Sequence, residues 1–136
     1  MASQSSQARG TTILAVDDEP DLLEAIRRVL TRHGHTVLCA TNSAEALLLC
    51  NTYPEPIDLL LTDLRMPGGG GAELAVRVNE VRPGLRALLM SGFADGNALG
   101  IEPTPGLADA PVLAKPFTPQ ALADAVDHAL AARSTP

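Results

Sequence analysis

Short, nearly unbroken apolar runs alternate along this chain with stretches in which apolar residues return every three or four positions. The runs are Thr12–Val16, the briefer Thr36–Ala40, 57–62, Arg86–Ser91 and Pro111–Ala114. Apolar runs of this length read as strands buried on both faces. After the first run, Leu22, Leu23, Ile26, Val29 and Leu30 repeat at helical spacing and predict an amphipathic helix over 20–33. Pro20 suits its first turn, Asp18 or Glu19 is placed to cap it, and Gly34 ends it. Asn42 or Ser43 caps a second helix, with Ala44, Leu47 and Leu48 expected on its buried face, and Tyr53-Pro54-Glu55-Pro56 breaks the chain. Pro67 to Gly71 reads as a loop, and Ala72–Val81 as a helix with Leu74, Val76 and Val78 partly buried. Pro83-Gly84 is a turn. Thr118 caps a last helix, with Pro119 at its first position and Leu122, Val126, Ala129 and Leu130 inward, and the chain frays from Ala131. The stretch 94–110 breaks the alternation. Its glycines and prolines oppose a helix, so an irregular segment is expected there, with at best a turn or two near Asn97–Ile101.

Strands alternating with helices across short loops imply a parallel sheet covered on both faces. Right-handed crossovers leave few ways to order such strands. In an open doubly wound sheet the ligand site lies beyond the carboxyl ends of the strands. Those ends carry the chemistry. Asp17 and Asp18 end the first run and Asp63 the third, where a carboxylate is expected at the sheet rim, facing solvent. Ser91 ends the fourth run and Lys115 the fifth.

Composition narrows the function classes. At 136 residues the chain reads as one domain, 11–132, with a flexible leader at 1–10 and a frayed tail at 133–136. A net charge of −6 argues against a nucleic-acid-binding face. No apolar run approaches the roughly 20 residues that span a bilayer, and the polar leader lacks the apolar core of a secretory signal. A cytoplasmic domain is expected. Cys39 and Cys50 stand at no metal-like spacing and read as reduced, structural thiols.

Three acids and a lysine at strand ends suit a divalent cation and a phosphoryl group. Mg2+ takes oxygen ligands, keeps several waters and uses one or two carboxylates plus phosphate oxygens. Asp17, Asp18 and Asp63 would supply that set, and crowded carboxylates are relieved by a bound cation. A carboxylate is also a possible nucleophile that forms an aspartyl phosphate. A lysine ammonium covers another phosphoryl oxygen, Ser91 is placed to hydrogen-bond a third, and Gly92 leaves room.

Asp17-Asp18-Glu19-Pro20, the strand-end Asp63 followed by Met66-Pro67, Ser91-Gly92 and Lys115-Pro116-Phe117 resemble the receiver domain of bacterial two-component response regulators over about residues 11–132. The resemblance implies a doubly wound, flavodoxin-like α/β fold: five parallel strands in the order 2-1-3-4-5, here with a short or irregular helix before the fifth. It implies that Asp63 accepts a phosphoryl group from a sensor histidine kinase or a histidine phosphotransfer domain. It implies Mg2+ held directly by Asp18 and Asp63, through water by Asp17, and by the backbone carbonyl of Arg65. It implies a switch hydroxyl at Ser91, a phosphate partner at Lys115, and a cis peptide before Pro116 that aims the ammonium inward. Such a domain catalyses only its own phosphorylation and dephosphorylation.

Two departures from the family stand out. The aromatic that receivers commonly carry three residues before the lysine is Val112 here, and 94–110 is rich in Gly and Pro where a helix of the usual output and dimer face belongs. Both features look more like receivers attached to hybrid sensor histidine kinases. Phe93 and Arg65 flank the site and are the positions expected to tune phosphoryl-group lifetime.

Blander readings exist for each piece alone. Asp17-Asp18 resembles any acidic helix start, Lys115 any solvated charge, and Gly68-Gly69-Gly70-Gly71 a flexible loop that lacks the Lys-Ser/Thr of a phosphate loop. His33, His35 and His128 read as surface residues. Two other functions compete. One is a magnesium-dependent phosphatase, against which Arg65 counts, since such enzymes usually place an acid two residues after the nucleophile. The other is a receiver-fold interaction module that works without phosphate, against which the full acid-and-lysine set counts.

Overall fold

The computed structural model describes residues 11–65, 70–92 and 111–132. The leader, the tail, 94–110, Phe93 and Met66–Gly69 lie outside these described residues, and so do the expectations made for them. The apolar runs form β1 (Thr12–Val16), β2 (Thr36–Ala40), β3 (Leu59–Asp63), β4 (Arg86–Ser91) and β5 (Val112–Ala114). All pair in parallel, in the order β2-β1-β3-β4-β5. The helices are α1 (Pro20–Arg32), α2 (Ser43–Thr52), α3 (Gly71–Val81) and α4 (Pro119–Ala132). The doubly wound α/β sheet expected from the alternation is the architecture found.

Alternation of side chains along each strand divides the core into two layers. Ile13, Ala15, Leu59, Leu61, Leu88 and Met90 face α1 and α4, where Ile26, Leu30, Leu122 and Val126 meet them. Leu14, Val16 and Leu60 face the other way, against Ala46 and Cys50 of α2 and Leu74 and Val78 of α3. Each fully buried aliphatic side chain stabilises the fold by about 1.5–3 kcal/mol relative to exposure, and β1 and β3 are buried along their whole length. These two strands are the central rods on which the acids are mounted.

Local chemistry sets the element ends. Pro20 stands in the first turn of α1, and Gly34 leaves the helix at φ +90°, a conformation that suits glycine. Glu19 is the N-cap, but its side chain makes no capping bond. The Asn42 side chain accepts the Glu45 N–H at 2.8 Å, and the Glu45 carboxylate returns to the Thr41 N–H at 2.7 Å. Thr118 Oγ1 accepts the Ala121 N–H at 3.0 Å at the start of α4.

Three expectations are corrected. On α2 the buried residues are Ala46 and Cys50, while Ala44 is exposed and Leu48 is 62% exposed. Apolar residues lie all round this helix, so periodicity could not choose its inner face. The third strand starts at Leu59, because Asp58 turns its carboxylate onto the Thr12 N–H at 2.8 Å. It also runs one residue further than expected, to Asp63 itself. His35 is half-buried against Thr11, and burial lowers its pKa. Cys39 and Cys50 are both free thiols, the first exposed and the second in the core.

Candidate functional site

The carboxyl ends of β1, β3, β4 and β5 converge at one end of the sheet. Asp17 follows β1 directly and is fully buried, fixed by two contacts. Its Oδ1 accepts the Glu19 N–H at 2.8 Å, which holds the entry to α1, and its Oδ2 takes a bond from Lys115 Nζ at 2.9 Å. Asp18, next in sequence, is exposed. Asp63 ends β3 and is only 6% exposed, so it does not face solvent as expected. Its Oδ2 accepts from Lys115 Nζ at 3.2 Å, and its Oδ1 accepts the Arg65 N–H at 3.3 Å. Burial follows from the register: Asp63 pairs with Met90 inside the sheet, and the ladder continues with Leu64 N–H to Met90 O at 2.8 Å.

The three carboxylates each bring an oxygen within 4.8 Å of the others. One ammonium serves two of them, so the cluster remains net negative. Oxygen-only donors, one exposed and two buried, suit a hard divalent cation. Electrostatics agree. Burial pushes the Asp63 carboxyl above its ordinary value; the Lys115 charge opposes that shift, the Asp17 charge adds to it, and the net direction is up. Burial alone would lower the Lys115 pKa, but the hydrogen bond and charge of Asp17, then those of Asp63, outweigh it and raise it. Lys115 therefore stays a cation, and it only partly offsets the burial that disfavours a charge on Asp63.

Lys115 reaches the acids from the short edge strand β5. Its N–H donates to Ser91 O at 2.8 Å, and its peptide bond to Pro116 is cis. Ser91 is buried at the end of β4, with its hydroxyl 3.5 Å from Gly92 O. Arg65 is exposed just past Asp63. Val112, in place of an aromatic, is 41% exposed. Beside the site a shallow cavity of about 400 Å³ is lined by Glu19, Leu22, Gly92, Lys115, Pro116 and Phe117. The structure thus brings Asp17, Asp18, Asp63 and Lys115 together, with Ser91 and Arg65 at the margin. Sequence reasoning missed Gly71, which packs on the main chain of Asp63, and read it only as part of a flexible loop.

An acid cluster with a lysine at the carboxyl end of a 2-1-3-4-5 parallel sheet defines a class, and the comparisons agree with it. Residues 13–127 match the family described as "Response regulator receiver domain". The chain is 35% identical over 121 residues to the response regulator receiver protein CpdR of Brucella abortus, covering 88% of this chain and 97% of that protein. A receiver domain protein from Clostridium thermocellum superposes with a TM-score of 0.76 at 28% identity, over 91% of this chain and 97% of that one. The receiver domain of the hybrid histidine kinase CckA superposes with a TM-score of 0.71 at 28% identity, over 88% and 98%. The chain spans only 26% of the length of two Escherichia coli transcriptional regulators to which it is 33% identical over 118 residues. The chain belongs to the response regulator receiver family of two-component systems. Among the described residues no helix is long and apolar enough to cross a membrane.

Proposed function

We propose that this receiver domain is a phosphoacceptor whose acceptor is Asp63, working with Mg2+. The observation that carries the reading is the contact of one lysine with both Asp17 and Asp63, inside a cluster whose carboxylates lie within 4.8 Å. Asp18 and Asp63 would hold the ion directly, Asp17 through water, and the Arg65 carbonyl would complete the protein ligands. When bound, the ion neutralises charge on the transferring phosphoryl group.

The chain's own residues do the rest. An Asp63 carboxylate oxygen forms the new bond to phosphorus. The donor's P–N bond to imidazole breaks, and its electron pair leaves with the imidazole, giving an acyl phosphate. Lys115 covers an oxygen of that group and Ser91 turns its hydroxyl toward another. Buried neighbours limit the access of water, and Arg65 at the margin sets part of the product's lifetime.

The donor is a phosphohistidine of a sensor histidine kinase or phosphotransfer domain, and such a donor puts the chain in the cytoplasm. The likeness to a receiver taken from a hybrid histidine kinase supports that class of donor. Turnover beyond the domain's own phosphorylation and dephosphorylation is not expected.

The test is labelling of the purified chain by acetyl phosphate, with and without Mg2+, in wild type and Asp63→Asn. Label that requires Mg2+ and disappears in Asp63→Asn is the expected result. Unchanged label in Asp63→Asn would sink the assignment. No label in wild type would favour an interaction module that works without phosphate.

A further inference from the structure

Gly71 opens α3, is buried, and sits against the phosphoacceptor strand. A Cβ on this residue would stand 2.1 Å from Asp63 O, 3.0 Å from Asp63 C and 3.1 Å from Thr62 Cγ2. The nearest obstacles are main-chain atoms, which cannot swing aside as the tip of a flexible side chain would. The peptide between Asp63 and Leu64 is also held on both sides. Leu64 N–H donates to Met90 O at 2.8 Å, and Thr62 Oγ1 donates to Asp63 O at 3.1 Å. Gly71 N–H in turn donates to Leu64 O at 2.9 Å.

Backbone conformation does not explain a glycine at this place. Among the described residues the glycines at positive φ are Gly34 and Gly84, and Gly71 is not one of them. In a helix, alanine is the better former by about 1 kcal/mol on general grounds. What glycine supplies here is close approach.

We infer that Gly71 is a positioning residue for phosphoryl transfer: it lets the start of α3 press on the Asp63 carbonyl and so fixes the Asp63 carboxylate against Lys115, Asp17 and the Arg65 N–H. This rests on Asp63 being the phosphoacceptor. A side chain at 71 must push α3 off the strand or rotate the Asp63–Leu64 peptide. The first route breaks the Gly71–Leu64 hydrogen bond and the second the Leu64–Met90 bond. Either one displaces Asp63 and the Arg65 backbone, which follows it by two residues.

The test compares Gly71→Ala with Gly84→Ala in the full chain. Gly84 lies in the turn after α3 at φ +87°, and a methyl group added there would meet nothing within 4 Å, so alanine is strained but remote from the site. Thermal melts record the stability lost in each variant. Initial rates of acetyl phosphate labelling and Mg2+ affinity by calorimetry are then measured where both are fully folded. A displacement of about 1 Å in a reacting group costs on the order of 100-fold in rate. Gly71→Ala is therefore expected to label at least about tenfold more slowly than wild type and to bind Mg2+ more weakly, with Gly84→Ala within about twofold on both.

Labelling of Gly71→Ala within twofold of wild type overturns the inference. Equal slowing in Gly84→Ala overturns it as well. A Gly71→Ala chain that does not fold overturns it too, because Gly71 would then be a folding residue. If wild type labels but Asp63→Asn labels equally, the acceptor assignment fails first and the inference falls with it.

Discussion

Lys115→Met keeps the length of the stem and deletes the ammonium. Nζ lies 2.9 Å from Asp17 Oδ2 and 3.2 Å from Asp63 Oδ2, with the lysine side chain 18% exposed. At an effective dielectric of about 20 each such pair is worth about 5 kcal/mol before desolvation. Much of that is returned when the ammonium no longer has to leave water. Breaking a buried pair from one side generally costs about 3–5 kcal/mol. Solvent reaches part of this lysine, and Asp63 can relieve its charge by taking a proton, so a loss of about 3 kcal/mol is expected without metal. Affinity for Mg2+ should move the other way. A unit charge about 5 Å from a dication costs roughly 1.7 kcal/mol even at the dielectric of water, more than tenfold in binding. The variant is thus less stable in chelator, binds Mg2+ more tightly, and recovers stability as the ion is added. Urea denaturation in chelator and across a Mg2+ titration reads both effects. Metal-free stability within about 0.5 kcal/mol of wild type, or a weaker Mg2+ affinity, would refute the electrostatic reasoning.

Three further outcomes follow, one from a distant clasp and two from the titration of the acid–lysine site. Arg82 donates to three carbonyls, Cys50 O at 3.0 Å, Tyr53 O at 2.5 Å and Glu55 O at 2.9 Å, and so clasps the end of α2. Arg82→Ala should cost about 2–3 kcal/mol in a denaturant melt while leaving Mg2+ affinity unchanged. Without metal the pKa of Asp63 is raised above its ordinary value, chiefly by burial, so its carboxylate takes up a proton as pH falls through that raised value. The window is read in chelator, since a bound cation lowers the pKa of a carboxylate beside it. Over the same window wild type should gain stability relative to Asp63→Asn, since the folded state takes up the proton before the unfolded chain does. Lys115, raised above 10.5, contributes stability that is complete below 10.5 and lost as pH rises through its folded value, so wild type and Lys115→Met should converge there.

The strands and their acids were legible because doubly covered strands have to be apolar throughout, and a charged residue closing such a run can only stand at a sheet end. Asp17, Asp63 and Lys115 declared themselves in that way. The depth of Asp63 was not legible. It depends on the pairing with Met90, which places the residue within the ladder. The inner face of α2 was hidden because Leu47-Leu48-Leu49-Cys50 offers no polar interruption to fix its phase, and the helix buries Cys50 while exposing Leu48. Arg82 acts through contacts with an element distant in sequence, the end of α2, and Gly71 through the close approach that its missing side chain allows to Thr62 and Asp63. No local pattern marks such residues. Gly71 was masked further by the glycines before it, which read as mere slack.

The cation that balances this cluster hangs from the lightest strand of the sheet. β5 is three residues long, pairs among the described residues with β4 alone, and leaves Val112 and Ala114 exposed. Segments with so little buried surface open at a small fraction of the global unfolding free energy. Lys115 can therefore detach from Asp17 and Asp63 by a local fraying that leaves β1 and β3 intact, and each such event uncovers the acids without their counter-charge. Amide exchange at the Lys115 N–H, bonded to Ser91 O at 2.8 Å, would time those openings against the slow amides of the two central strands.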